Sequence, residues 1–374
     1  MPASPRRFYP VCLLLCATLV CAAAERAAGQ APRTDAQARA VAARFAPVFY
    51  QALGDAPRFD YITNFDFDGD WRGDNNWAHA EDERFPLKAY VYYAVSETAT
   101  HYFIHYAAFH PRDYKGGETR GRLLSDILNE SVRRGGKYDP TGLAMEATVA
   151  HENDMEGCLV VVAKQGSDLT RARVVYVETL AHNRFLRYVV AGAAEGEANT
   201  VSLEDQHPLL YVEPKGHGIE AYQANDKRHP HALLRYAYDG RAAAPAPAAE
   251  AAGYDLLPIL TTLWPRAHKG VSETYGLTTD YGRVGVSVAL AGGRAPEERP
   301  VTVGRLGAAF LGKVGGHNMA RPPWGWFDNK ERDAQPGAWF FDPAGTIKRH
   351  FNAGDDFSVA YVWQPFLNIG ATAR

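Results

Sequence analysis

Within six residues the chain sets one imidazole and three carboxylates, in His151-Glu152-Asn153-Asp154-Met155-Glu156-Gly157, and an apolar run from Gly157 to Ala163 follows at once. The run reads as a β-strand. Side chains two apart on a strand point to one face, so Asp154 and Glu156 fall together, while His151 has the wrong parity. It can join them only from a turn or bulge ahead of the strand. A helix fits worse, because residues two apart do not share a helix face. The expected picture is a cluster of ligands where a loop enters a sheet. One imidazole with two or three carboxylates suits a divalent cation, Ca²⁺ or Mg²⁺ before Mn²⁺ or Zn²⁺.

The rest of the chain supports a strand-rich fold. Of its 374 residues 20 are Tyr and 17 Phe against only 4 Met, a balance that favours strands. Lys88 to Val95 and Thr100 to Phe109 read as a hairpin, and Gly157–Lys164, Arg173–Thr179, Phe185–Ala191, Pro208–Val212 and Leu233–Tyr238 as further strands. Val284–Leu290, Pro300–Leu306 and Phe357–Val362 extend the pattern towards the C-terminus. Thr34 to Leu53 reads as a helix kinked or split at Pro47, and Leu123 to Arg133 as a short helix within a long insertion. The fold class expected is mainly β, a β-sandwich core with added helices and long loops. The Ala/Pro stretch Arg241–Ala252 is either a linker or a long surface loop. Residues 32–240 therefore form a β-sandwich domain, and 253–374 a second β-rich part, separate or continuous with the first.

Residues 1–31 read as a bacterial-type signal peptide: Arg6 and Arg7, an apolar Val11–Ala24 run too short to span a bilayer, then small residues placing cleavage between 24 and 31. A secreted or periplasmic protein without a transmembrane helix in its mature chain is expected. A lipoprotein anchor at Cys21 is disfavoured by Val20 before it. Removal of that segment takes Cys12, Cys16 and Cys21 with it and leaves Cys158 alone, so no internal disulfide can form. The net charge of −3 and the lack of a basic block argue against a nucleic-acid partner.

Three further segments bear on the His151 cluster. The first is His105-Tyr106-Ala107-Ala108-Phe109-His110-Pro111-Arg112-Asp113, and the last is Tyr211 to Tyr222, which contains Lys215-Gly216-His217-Gly218. An aromatic strand ending in Pro-basic-Asp, then His-x-x-Asp-x-Glu, then His-Gly resembles the necrosis- and ethylene-inducing-like proteins, secreted β-sandwich cytolysins whose hallmark reads Gly-His-Arg-His-Asp-Trp-Glu. The order is similar also to Vps62-type domains, whose His-Glu-Gly-Asp-Trp-Glu shares the His-Glu start. The resemblance covers patches of residues 85 to 225. It implies a divalent cation beside a glycosylated lipid headgroup, with Asp113, His151, Asp154 and Glu156 as ligands and His217 as a fifth ligand or ligand contact. Met155 stands where the hallmark has Trp, Asn153 replaces the second His, and the segment between Asp113 and His151 is far longer.

A second candidate lies at Asp66, Asp68, Asp70 and Asp74, carboxylates spaced like a calcium loop around Gly69. Gly69 falls too early for that motif and its closing Glu is absent, so a hydrogen-bonded turn or a rim to the His151 site is the alternative. The aromatic segments Arg321–Asp328 and Trp339–Ala344 read as packing over the core, with a sugar- or membrane-contacting rim as the alternative. No nucleophile elbow, His-Glu-x-x-His or phosphate loop occurs. Three functions remain open: a cation-dependent module binding a lipid headgroup or glycan, a metal-dependent hydrolase using the same site, and a structural envelope protein with a stabilising metal.

Overall fold

The computed structural model describes residues 34–54, 56–113, 150–191, 199–224, 231–315, 319–331 and 334–370. The signal peptide expected at residues 1–31, Cys21 and the helix expected at Leu123–Arg133 lie outside them.

Helix α1, Asp35–Arg44, starts as its sequence dictates: Thr34 accepts from the Gln37 amide while the Gln37 side chain reaches back to the Thr34 amide. It does not continue to Leu53. Beyond Pro47, which cannot donate to a helix, the branched and aromatic run becomes strand β1, Val48–Leu53, paired with strands on both sides. Strands β2 (Tyr90–Thr98), β3 (His101–Asp113), β4 (His151–Ala163), β5 (Arg173–Leu180) and β6 (Phe185–Val190) form an antiparallel meander. Short β7 (Thr200–Val201) and β8 (Leu203–Glu204) lead to β9 (His207–Val212), β10 (Ile219–Ala221), β11 (Ala232–Tyr238) and β12 (Ala251–Pro258).

The resulting order, β10-β9-β1-β11-β12-β2-β3-β4-β5-β6-β7, is one large sheet curled nearly into a barrel. The protein is mainly β, as the sequence predicts, with its layers made by a single curled sheet rather than two flat ones. β12 pairs in parallel with both β11 and β2, so strands on either side of the Ala/Pro stretch share that sheet. Later strands are β13 (Tyr275–Asp280), β14 (Arg283–Val288), β15 (Glu297–Thr302), β16 (Arg305–Phe310) and β17 (Tyr361–Trp363). The single strand expected at Pro300–Leu306 is broken by Gly304 at φ 75°, a left-handed turn that separates β15 from β16. The strand expected from Phe357 begins only at Tyr361.

Two cores lie on the two faces of β2–β4. Val91, Tyr93, Ile104, Tyr106, Cys158 and Val160 point into the curl, against Phe49, Leu234, Tyr254 and α1. Tyr92, Phe103, Phe109, Met155, Leu159 and Val161 point outward, under Trp324, Trp326, Trp339, Phe340 and Phe341. Burial on both faces explains why these strands read as continuous apolar runs. Each such large side chain contributes about 2–3 kcal/mol by burial. The Tyr106 and Tyr254 hydroxyls donate to the Ala42 and Pro47 carbonyls, both at 2.6 Å, which satisfies two buried polar groups and ties α1 to the sheet. Cys158 is a free, buried thiol. Among the described residues no helix is long and apolar enough to cross a membrane.

Candidate functional site

β3 and β4 run past the rest of the sheet, and their ladder carries Asp113 opposite His151. The sequence predicts a loop ahead of the strand here. The structure instead starts β4 at His151 and places the irregularity inside it. Asn153 sits at φ 60°, in the left-handed region, facing Pro111, which has no amide to contribute. The register is kept on either side, as His110↔Asp154 and Arg112↔Glu152.

The kink inverts the strand alternation. Asp154 and Glu156 keep the parity of Cys158. Glu152 turns to the opposite, aromatic side, where it accepts from the amides of Trp77 (2.7 Å), Lys313 (2.7 Å) and Val314 (3.4 Å). His151 comes round to join Asp154 and Glu156. The Asn153 side chain holds this geometry: it accepts from Asn76 at 2.6 Å and donates to the Gly73 and Leu311 carbonyls at 2.8 Å each.

Asp113, His151, Asp154 and Glu156 thereby line one pocket of about 30 Å³, enough for a single ion or water. All four are buried, at 3–8% exposure. The His151 ring lies 3.4 Å, Nε2 to Oδ2, from Asp113, and its Nδ1 lies 2.9 Å from the Asn153 carbonyl. With Nδ1–H donating to that carbonyl, Nε2 is the ring nitrogen left on the side of Asp113. The donor set therefore fits a divalent cation in kind. In spacing it is more open: among the described residues no three His, Cys, Asp or Glu side chains stand close enough to hold an ion as they are.

His217 is placed behind this wall rather than in it. It is fully buried, with Nδ1 2.9 Å from Asp154 and Nε2 3.4 Å from Asp60, and its ring stacks on His110 at 3.7 Å. Burial opposes its charged form, but the carboxylates of Asp154 and Asp60 outweigh it and push the imidazole up to about 9. His110 moves the other way, held well below the ordinary range by burial and by the His217 charge.

The Asp-rich stretch is occupied with its own turns. Asp66 accepts from Asn64, Asp70 accepts from the Arg72 amide and Asn75, and Asp74 meets Arg72 and Lys313. Asp68 caps the Asp70 amide and lies 2.5 Å from His79. Through Gly73 and Asn76 this loop supports Asn153, so it serves the site as a buttress. Arg112 is a buried strut between the Phe59 and Trp77 rings, donating to the Trp77 carbonyl.

Other pocket residues escape the sequence pattern. His182 and Asn183, both left-handed at φ 53° and 56°, come from the β5–β6 turn, and Met319, Arg321 and Trp326 from the C-terminal segment. His182 pairs with Glu213 at 2.6 Å. The adjacent His182-Asn183 pair in a tight turn is the one local signal that marks them. The Trp326 indole donates to the Met155 carbonyl at 3.0 Å, and a Cβ on Gly157 would collide with its ring. Most of the aromatic segment is core, as its packing reading requires.

No family model and no curated protein matches this sequence. Solved structures similar to it are necrosis- and ethylene-inducing-like proteins. They include the non-toxic HaNLP3 protein, at 12% identity over 61% of this chain and 76% of that one, with a TM-score of 0.30. Another is Necrosis and Ethylene inducing Protein 2 from the causal agent of cocoa's Witches Broom disease, at 15% identity, 53% and 73% coverage and TM-score 0.27. A third is NLPPya in complex with glucosamine, at 17% identity, 55% and 78% coverage and TM-score 0.29. So distant a likeness assigns no residue a role, and the function proposed below rests on the pocket itself.

Proposed function

We propose that this chain is a secreted binding module in which a divalent cation, Ca²⁺ or Mg²⁺, sits among Asp113, His151, Asp154 and Glu156 and receives the hydroxyls of a glycan or lipid headgroup. The observation that carries this reading is the convergence of those four side chains on one ion-sized pocket through the Asn153 kink. Such a cation would supply a positive centre for vicinal hydroxyl or phosphoryl oxygens. Three carboxylates buried around one pocket favour a cation among them. Arg321 on the pocket wall supplies a positive charge of its own.

The chain's own groups favour binding over hydrolysis. A hydrolase needs a base within reach of the attacking water. Glu152 is turned away and engaged by three backbone amides. His217 lies buried behind the pocket wall between Asp154 and Asp60, out of reach of an attacking water. Its role is to hold Asp154 in place.

The test is a thermal-shift titration with Ca²⁺ and Mg²⁺, paired with calorimetry against mannose, whose cis-hydroxyls chelate a bound cation. Saturation at about a hundred times the Kd should stabilise the wild type by about 2.7 kcal/mol. Asp154→Ala with Glu156→Ala should abolish that gain, and mannose should bind only with the cation present. Steady turnover of an ester or phosphodiester would move the assignment to a hydrolase. A stability gain without any ligand binding would move it to a structural protein, and no response to any divalent ion would sink the cation reading.

A further inference from the structure

The acidic pocket opens beside a much larger cleft, about 540 Å³, built by the C-terminal segment against Phe185. The two cavities share Arg321 and Trp326 as a common wall. Asn329 lines the cleft, and its backbone amide donates at 3.0 Å to the carbonyl of Asn183, which lines the acidic pocket. The floor is aromatic, formed by Tyr281, Trp326 and Trp339, while Arg321, Gln335 and Arg349 make the edges polar. An apolar floor with a few convergent polar groups, at this volume, is the profile of a small-molecule site.

We propose that this cleft is the second half of one elongated site and takes the inner sugars of an oligosaccharide whose terminal unit sits at the mouth of the acidic pocket. The inference deepens the glycan-binding reading and rests on it for the terminal unit. A terminal monosaccharide would cap a cation at that mouth. The following units lie across the Arg321–Trp326 wall. A hydrocarbon tail suits the cleft less well, because Arg321, Asp328, Glu331 and Arg349 line it with charge.

The experiment is calorimetric titration of the wild-type chain, in Ca²⁺, with mannose, mannobiose, mannotriose and octyl mannoside. Affinity should rise at least tenfold from mannose to mannotriose, about 1.4 kcal/mol. Thr279→Trp, which fills the cleft from β13, should erase that rise and leave mannose binding unchanged. Equal affinity for all lengths in the wild type overturns the proposal, and so does a gain confined to octyl mannoside, which would assign the cleft to a lipid chain. Tight mannotriose binding that survives Asp154→Ala but not Thr279→Trp would keep the cleft and refute the acidic pocket as the terminal subsite. Absence of binding by every sugar refutes both.

Discussion

Asn153 touches no ligand, yet the site depends on it, and its replacement separates backbone strain from hydrogen bonding. At φ 60° an alanine would sit in the left-handed region, which costs a non-glycine residue about 1–2 kcal/mol. The same change removes three side-chain hydrogen bonds and leaves Asn76 Nδ2 and the Gly73 and Leu311 carbonyls without that partner. At the low end of about 1–3 kcal/mol for each buried group so abandoned, these add about 3–4 kcal/mol. Asn153→Ala should therefore lose about 4–6 kcal/mol, a large part of a typical domain's stability. Asn153→Gly restores the backbone freedom but not the bonds, and should lose about 3–4 kcal/mol. The assay is urea unfolding followed by tryptophan fluorescence, with a parallel Ca²⁺ thermal shift. Asn153→Ala should lose the cation response, because relaxing the strained kink returns His151 to the wrong face, whereas Asn153→Gly, which adopts φ 60° freely, should keep more of it. Equal losses in the two variants would refute the strain argument. An undiminished cation response in Asn153→Ala would refute the claim that the kink assembles the pocket.

Two other substitutions and one pH dependence follow from the same structure. Gly157→Ala should cost about 3 kcal/mol in urea unfolding, since its Cβ meets the Tyr106 carbonyl oxygen of the paired strand and the Trp326 ring, and the strand cannot yield; a loss under 1 kcal/mol would show that β4 can shift. Glu152→Gln points an N–H at a backbone donor and should cost about 2–3 kcal/mol while the Ca²⁺-induced shift persists, whereas loss of that shift would place Glu152 in the site. His105 is buried, and that burial outweighs the nearby Trp339 carbonyl and holds the imidazole down to about 4, below its ordinary 6.5. Because the unfolded chain takes up this proton first, the contribution is full above pH 6.5 and is lost as pH falls through 4, about 3 kcal/mol in all. Unfolding free energies measured across that window should fall less steeply for His105→Gln, and parallel curves would refute the assignment.

Much of this was legible in local pattern. The Thr34–Gln37 box announces α1, the apolar runs announce β2 to β5, and the spacing of Asp154 and Glu156 puts them on one face. What escaped depends on partners distant in sequence. Val48–Leu53 continues the apolar stripe of a helix, and only its pairing with β9 and β11 makes it a strand. The parity conflict at His151 was visible, but its solution needed Pro111 opposite Asn153 and the Gly73, Asn76 and Leu311 groups that hold the turn. His217 entered as a fifth ligand or ligand contact through the resemblance of its His-Gly segment. Asp60, which turns it into a buried cation behind Asp154, lies in a segment with no motif at all. The cleft drew on residues whose aromatic composition already explained them as core.

The ladder that sets Asp113 beside His151 also frees the chain between them. The ends of the segment between Asp113 and His151 are held as neighbours by β3 and β4. The closure cost of such a connection grows only with the logarithm of its length, so replacing it by a four-residue turn changes that cost by about 2 kcal/mol. Closure alone therefore sets little barrier to insertions at this point in descent. Each one starts and finishes at the mouth of the acidic pocket. The same scaffold can in this way acquire new chemistry next to an old site without any change to the strands that build it.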